Sequence, residues 1–414
     1  MVRRTLVVLL AVLVAALIVA GCGGSEDKGG APGEQEDTGS GSGSASEAKG
    51  GETTRGSSEG GEGQLMQVDV ASPVNGTSYV APLTEVFGEV FIGENSFVAA
   101  NTILRAAPQN SLEIGSDTNA QDNIIIRALD RSSAIGDETS IAHHAIIRDS
   151  DIGDFAFVGF NAEVVDSIVN NGAFILHGAR VEGVEIPENA LVDVGQEITT
   201  QDKADDLPTA PEATEEFREE VLDVNRELAA GYIELYDNGA GYESVIEAGP
   251  NPSTSFIPEQ TEPQIGEGAD IREFVRLIGD ARLGANSRVQ QRTAIRADDG
   301  TPIVIGEGAR IDDRVTFHAL AGTDVRIGDN LTAGDDAVLH GPLQMRDNVT
   351  VEDDAVVFRV VVGNNVDIGE EAIIVGPAIE EGEEPSLRIP PGTVIPDGAV
   401  ITDQEDLDAI LEEQ

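Results

Sequence analysis

Residues 303–328 read IVIGEGARIDDRVTFHALAGTDVRIG. An aliphatic residue followed by glycine marks the stretch twice, at Ile305-Gly306 and Ile327-Gly328. The same pair recurs at Ile92-Gly93, Ile114-Gly115, Ile135-Gly136 and Ile152-Gly153, then at Ile265-Gly266, Ile278-Gly279, Leu283-Gly284, Val362-Gly363 and Ile368-Gly369. A small or aliphatic residue tends to follow each pair about six positions on, the pattern of a β-helix of hexapeptide repeats with three short strands per coil. The aliphatic side chain is expected to fill a narrow core at each corner, and the glycine to supply the turn conformation. Only 4% of the chain is aromatic and tryptophan is absent, which suits a core too thin for large rings. The density of glycine and β-branched residues excludes amphipathic helix through these stretches. The fold class is all-β.

The pattern breaks between Asp202 and Pro263. Glu215 to Tyr236 reads as a helix, with Phe217, Val221, Val224, Leu228 and Ile233 on one stripe. Asn238 to Thr261 is rich in Gly, Pro and Ser and reads as a linker. The repeats then resume to about Val400, before a short acidic C-terminal helix. The two repeat regions match in detail: Ile103-Leu104-Arg105 aligns with Ala294-Ile295-Arg296, Asp122 with Asp313, Arg127-Ala128-Leu129 with His318-Ala319-Leu320, and Arg148 with His340. Duplication is the simplest account, so two tandem β-helices are expected, over 65–237 with its helix and over 264–414, joined by a linker at 238–263.

The N-terminus carries an address. Arg3 and Arg4 precede an uncharged apolar run from Leu6 to Val19, closed by Val19-Ala20-Gly21-Cys22. Its length and small-residue end suit a cleavable export signal over residues 1–22. The closing residues look like a bacterial lipobox, which implies that Cys22, the only cysteine, is lipid-modified and anchors the exported protein to the membrane. Residues 23–64 are mostly Gly, Ser and Glu and form a flexible tether. Of the net charge of −51, the tether carries −6 and the n-region +2, which leaves −47 on the rest. Such a surface repels nucleic acid and anionic headgroups.

The chain has five histidines: His143, His144, His177, His318 and His340. His318 and His340 are 22 positions apart. One coil is about 18 residues, so with a short corner loop both project from one face of adjacent coils. Two such imidazoles can hold Zn2+ or a similar ion, which needs one further protein ligand and an open position for catalysis.

The blocks Ile295-Arg296-Ala297-Asp298-Asp299-Gly300-Thr301-Pro302 through Phe317-His318-Ala319-Leu320, and Leu339-His340-Gly341-Pro342, resemble the gamma-class carbonic anhydrases. In the first half Asn119-Ala120-Gln121-Asp122, Ser140-Ile141-Ala142-His143 and Asp223 to Tyr232 resemble the same family. The resemblance spans about residues 66 to 402, once per half, and implies left-handed β-helices that associate as trimers. It also implies three histidines around Zn2+ or Fe2+ at an interface, and hydration of CO2 to bicarbonate. His318 and His340 match two of the ligands. The third family position falls on Asp335 in the second half and on His143 in the first, where Arg127 and Arg148 replace the other two.

Two ligand sets follow: His318, His340 and a neighbour's Asp335, or the same pair with His143. A homotrimer favours Asp335, because a ring of three cannot alternate two domain types. In that reading His143 and His144 are structural, and His177 is a corner residue. Arg296 and Asp298 match a pair that braces the interface, and Asp299 matches a proton-shuttling carboxylate. The glutamine that orients the reacting water is retained as Gln121 and replaced by Asp312 in the second half. Expected assemblies are a homotrimer or a pseudo-hexameric array of β-helices. An inactive surface scaffold is the main alternative. A hexapeptide acyltransferase is the weaker one, because the acidic surface suits no coenzyme A phosphates.

Overall fold

The structure is a computed structural model that describes residues 77–211, 213–237, 247–379 and 382–413. The export signal with Cys22, the tether, residues 238–246 of the linker and the side chain of Phe217 lie outside what is described.

Each repeat region winds into a parallel β-helix, and both belong to one compact unit. The first half builds sheets of seven, seven and six parallel strands. Down one of them Phe97 pairs with Asn119, then Ser140, Phe157, Phe174 and Leu191, so coils take 17 to 22 residues. The second half has one seven-stranded sheet and one thirteen-stranded sheet. The larger one covers two sides, because strand Val338–Met345 pairs with Thr316–Ala319 at one end and with Val325–Ile327 at the other. Its second half begins earlier than the sequence suggests: Glu247–Gly249, within the expected linker, pairs in parallel with Arg276–Gly279. Helices are three among the described residues: Gln201–Asp205, which the sequence did not announce, Ala213–Asp237, and Gln404–Glu413.

Alternation along two- to four-residue strands sends one aliphatic inward per side, so Val98, Ala120, Ile141, Val158, Ile175 and Val192 stack through the first half. Each fully buried aliphatic contributes roughly 1.5–3 kcal/mol against an ordering cost of roughly 1–2 kcal/mol per residue. Every coil must therefore carry its own stack. Among the described residues, the core of the first half contains no aromatic ring, and that of the second contains only Phe317. The other buried aromatics lie between the halves. Tyr79, Phe97 and Tyr232 pack with Ile278, and Phe157, Phe160 and Phe174 with Val338, Val356, Phe358 and Ile373.

The glycine of the aliphatic-glycine pair has a different reason from the one expected. Gly115 does not have a positive φ; a Cβ there would sit 2.5 Å from the backbone of Gly136 in the next coil. Close stacking of coils excludes a side chain. The left-handed positions come two residues later, at Asn95, Asp117 and Asn286, where Asn and Asp tolerate that conformation. Gly279, with φ of 73°, is the pair that does make the expected turn.

Helix Ala213–Asp237 folds back along the first half. Leu228, Ala229 and Tyr232 are buried against Tyr79, Phe97 and Ile278, and Arg226 pairs with Asp117 and Glu138 at 2.6 and 3.0 Å. It thereby touches both halves and delivers side chains to the seam between them.

Candidate metal centre

His318 and His340 are register partners on neighbouring parallel strands. Alternation sends Phe317 and Leu339 into the core and both imidazoles outward. The first half covers this face, so the two histidines are only 4% and 2% exposed. His143 arrives from the first half, in the turn that follows strand Ser140–Ile141. His144 takes φ of 61°, and the two neighbouring rings go to different partners.

One nitrogen from each of His143, His318 and His340 lies within 4.8 Å of the other two. His143 Nε2 and His318 Nδ1 are 3.3 Å apart. That is the roughly 3.3 Å expected between two ligands of a tetrahedral Zn2+ with bonds of roughly 2.0–2.1 Å. The other nitrogen of each ring faces an oxygen. His340 Nδ1 is 2.9 Å from the Gly341 carbonyl, His318 Nε2 is 3.2 Å from Asp298 Oδ1, and His143 Nδ1 is 3.5 Å from Asp122 Oδ2. The first two are hydrogen bonds, which fix the tautomer and ring orientation of ligating histidines, whereas His143 Nδ1 has no hydrogen-bond partner among the described residues. All three pKa values are lowered, first by burial; His318 then acts on His143 and His340, and Arg296 on His318. The imidazoles are thus neutral near pH 7 with lone pairs converging, a donor set that fits a divalent cation.

Arg296 holds the seam together. It is fully buried and donates from Nε to Asp122 Oδ2 at 2.6 Å, from Nη1 to Asp298 Oδ2 at 2.5 Å and from Nη2 to Gln121 Oε1 at 2.8 Å. Burial opposes its charge, but Asp122 and Asp298 outweigh that and raise its pKa. Asp298 is likewise desolvated, yet Arg296, His318 and Tyr232 hold it far below the usual carboxylate range. Gln121 Nε2 donates to Asn225 Oδ1 at 2.8 Å. Asp299 is buried, and desolvation followed by repulsion from Asp298 pushes it up to about 8. Beside the cluster, Phe160 stacks on His340 at 4.9 Å between centroids and Phe358 meets it edge-on at 5.0 Å.

The remaining expected residues fall elsewhere. Within the chain the residue that joins the pair is His143. Asp335 is exposed and its Oδ1 accepts the Asp313 amide at 2.8 Å. Asp312 is exposed on the same acidic edge, and Gln121, not Asp312, reaches the site. Both placements have one cause: the outward column of the second half is covered by the first half of the same chain. His144 bridges the halves through Thr316 Oγ1 at 2.8 Å and Asp336 Oδ1 at 3.2 Å, with Asp336 also taking Arg314 Nε at 2.6 Å. His177 is a corner residue, its Nδ1 accepting the Phe160 amide at 3.0 Å and its pKa pushed down to about 3 by burial and then Arg359. The sequence reading missed Asp122, Tyr232, Phe160 and Phe358 as neighbours of the site.

No family model matches the chain. It is 31% identical over 173 residues to the carboxysome assembly protein CcmM of Nostoc, a match covering 39% of this chain and 29% of that protein. It is 30% identical over 181 residues to the carbonic anhydrase of Methanosarcina thermophila, covering 39% of this chain and 69% of the enzyme. The chain belongs to the gamma-class carbonic anhydrase family. Among solved structures, it is similar to a hexapeptide transferase family protein of Anaplasma phagocytophilum, at 22% identity and a TM-score of 0.32 over 38% of this chain and 90% of that one. It is also similar to the UDP-N-acetylglucosamine acyltransferase of Francisella novicida, at 11% identity and a TM-score of 0.14 over 76% and 67%. For a chain of the gamma class, metal ligation by histidine is the coarse expectation, and the three buried imidazoles give it a place.

The electrostatics of the site make stability depend on pH in two opposing ways. Each site histidine has a folded pKa below its unfolded value of about 6.5. Below that pH the unfolded chain binds protons that the folded chain refuses, so this stability is present above about 6.5 and lost on acidification. Asp299 runs the other way. Its folded pKa of about 8 lies above the unfolded value of about 3.9, so its contribution declines between those limits as pH rises, by about 1.4 kcal/mol per unit. In urea unfolding of metal-free protein, Asp299→Asn should therefore gain on the parent as pH rises from about 5 to 8. A difference independent of pH would show that the carboxyl ionises freely.

Proposed function

We propose that this chain is a metal-dependent carbonic anhydrase interconverting CO2 and bicarbonate, working outside the membrane from a lipid anchor on Cys22. The observation that carries the reading is the neutral, buried set His143, His318 and His340, each with an oxygen opposite its spare nitrogen. Zn2+ or Fe2+ held there supplies Lewis-acid activation of water towards CO2. The chain's own residues do the rest. Arg296 takes the Gln121 oxygen, so the Gln121 amide nitrogen is committed to Asn225 and the side chain keeps one orientation. Phe160 and Phe358 wall the cluster with apolar surface, which suits a substrate without charge. Asp299, with its pKa raised to about 8, is close enough to neutrality to exchange protons, and its ionised fraction, which grows as pH rises towards 8, is the form that accepts one. Association of three chains, six β-helices in all, belongs to the same proposal.

Similarity to carboxysome assembly proteins favours a second reading, a binding module without turnover. Metal analysis and a CO2 hydration assay on protein purified without oxygen separate the two. The enzyme reading expects stoichiometric metal, and hydration that a chelator abolishes and added metal restores. Bound metal without hydration would leave the binding module standing, and absence of metal would sink the enzyme.

A further inference from the structure

Tyr232 has no assigned part in this site, yet it reaches from the long helix to Asp298 of the second half with a hydrogen bond. It is fully buried, and its ring stacks on Tyr79 at 4.8 Å and on Phe97 at 5.9 Å between centroids. Its hydroxyl donates to Asp298 Oδ2. The opposite oxygen of that carboxylate, Oδ1, lies 3.2 Å from His318 Nε2. A phenol with two stacked neighbours has little freedom, so Oδ2, which it shares with Arg296 Nη1, is fixed, and with it the direction in which Oδ1 points.

We infer that Tyr232 is a positioning residue: through Asp298 it holds His318 as the Nε2–H tautomer, so that His318 presents Nδ1, and His143 and His340 present Nε2, to a divalent cation. The asymmetry follows from the contacts of each ring. Gly341 bonds Nδ1 of His340 and Asp298 bonds Nε2 of His318, whereas His143 Nδ1 makes no hydrogen bond among the described residues and its Nε2 is placed by the 3.3 Å approach to His318 Nδ1. A ring bonded through one nitrogen offers its lone pair on the other. The degenerate first half therefore supplies one ligand and the orienting group for a second. This inference rests on reading the three histidines as a metal site.

The test compares Tyr232→Phe with Tyr79→Phe on the purified chain. The first deletes the hydroxyl on Asp298. The second deletes a hydroxyl from the same aromatic stack, one that accepts from Arg276 Nη2 at 3.3 Å. Zn2+ affinity is measured by chelator competition, and the ligand field by the visible spectrum of the Co2+ form. Tyr232→Phe is expected to weaken Zn2+ about tenfold, the low end for loss of an orienting partner, and to alter the Co2+ spectrum, whereas Tyr79→Phe changes neither. Parent-like affinity in Tyr232→Phe, or equal weakening in both variants, would overturn the inference. Nitrogen-15 shifts of His318 in the metal-free parent decide the matter even where a variant does not fold. Protonation on Nε2 supports the inference and protonation on Nδ1 refutes it. Because that measurement needs no metal, failure of the parent to bind Zn2+ remains a separate result that counts against the proposed function alone.

Discussion

His143→Ala abolishes stoichiometric metal binding, whereas Asp335→Asn leaves it intact; this contrast is the first result expected of the site. His143 Nε2 stands 3.3 Å from His318 Nδ1, and within 4.8 Å of a nitrogen of His340 as well. Removing it leaves two imidazoles, too few for a closed or catalytic Zn2+ site. The loss should exceed about 100-fold in affinity, the upper range for losing merely an orienting partner. His318→Ala and His340→Ala should match it. Asp335 sits on an exposed edge with one oxygen on a backbone amide, and its amide variant keeps that hydrogen bond. Metal content after dialysis, with chelator competition, reads the difference. Retention of metal in His143→Ala together with loss in Asp335→Asn would mean that the site is made between second halves of different chains.

Much of this was legible in the sequence, and what was not has a physical reason. The β-helices follow from a local period, and so does the pairing of His318 with His340, because their spacing equals one coil of that region. The third histidine depends on how two prisms meet. His143 and His318 are 175 positions apart, and no periodicity encodes that contact. A signal was nevertheless present in the outward column of one sheet. In the first half it reads Tyr79, Phe97, Asn119, Ser140, Phe157, Phe174 and Leu191. In the second half the matching sheet reads Asp270, Arg288, Arg310, Thr332, Thr350, Asp367 and Val394. Large apolar residues on an outward column mark a face that something covers, and only the first half has them on this sheet. The same comparison explains the arginines. Arg105, Arg127 and Arg148 are register partners on a first-half face whose second-half counterpart carries Arg296, His318 and His340. Tyr232 was harder to see, since its partner Asp298 is 66 positions away in the other half.

The second large effect concerns the seam. Arg296→Met should cost about 3–5 kcal/mol of stability, the usual penalty for leaving buried charges without their partner. That corresponds to a fall in melting temperature on the order of 10 °C. The guanidinium serves Asp122, Asp298 and Gln121 at once, and both carboxylates are wholly buried. Methionine fills much of the volume but neutralises neither. If charge rather than shape is responsible, converting the two carboxylates to amides in the same variant removes what was stranded. The triple variant Arg296→Met, Asp122→Asn, Asp298→Asn should then recover most of the lost stability in thermal and urea unfolding. It should not recover metal affinity. His318 loses the ionised oxygen opposite Nε2, and an asparagine there offers either a weaker acceptor or an amide donor. Stability and ligation would thus separate within one network. A single Arg296→Met variant as stable as the parent would show that the buried ion pairs contribute nothing net. A triple variant with parent-like Zn2+ affinity would show that His318 is oriented by packing alone.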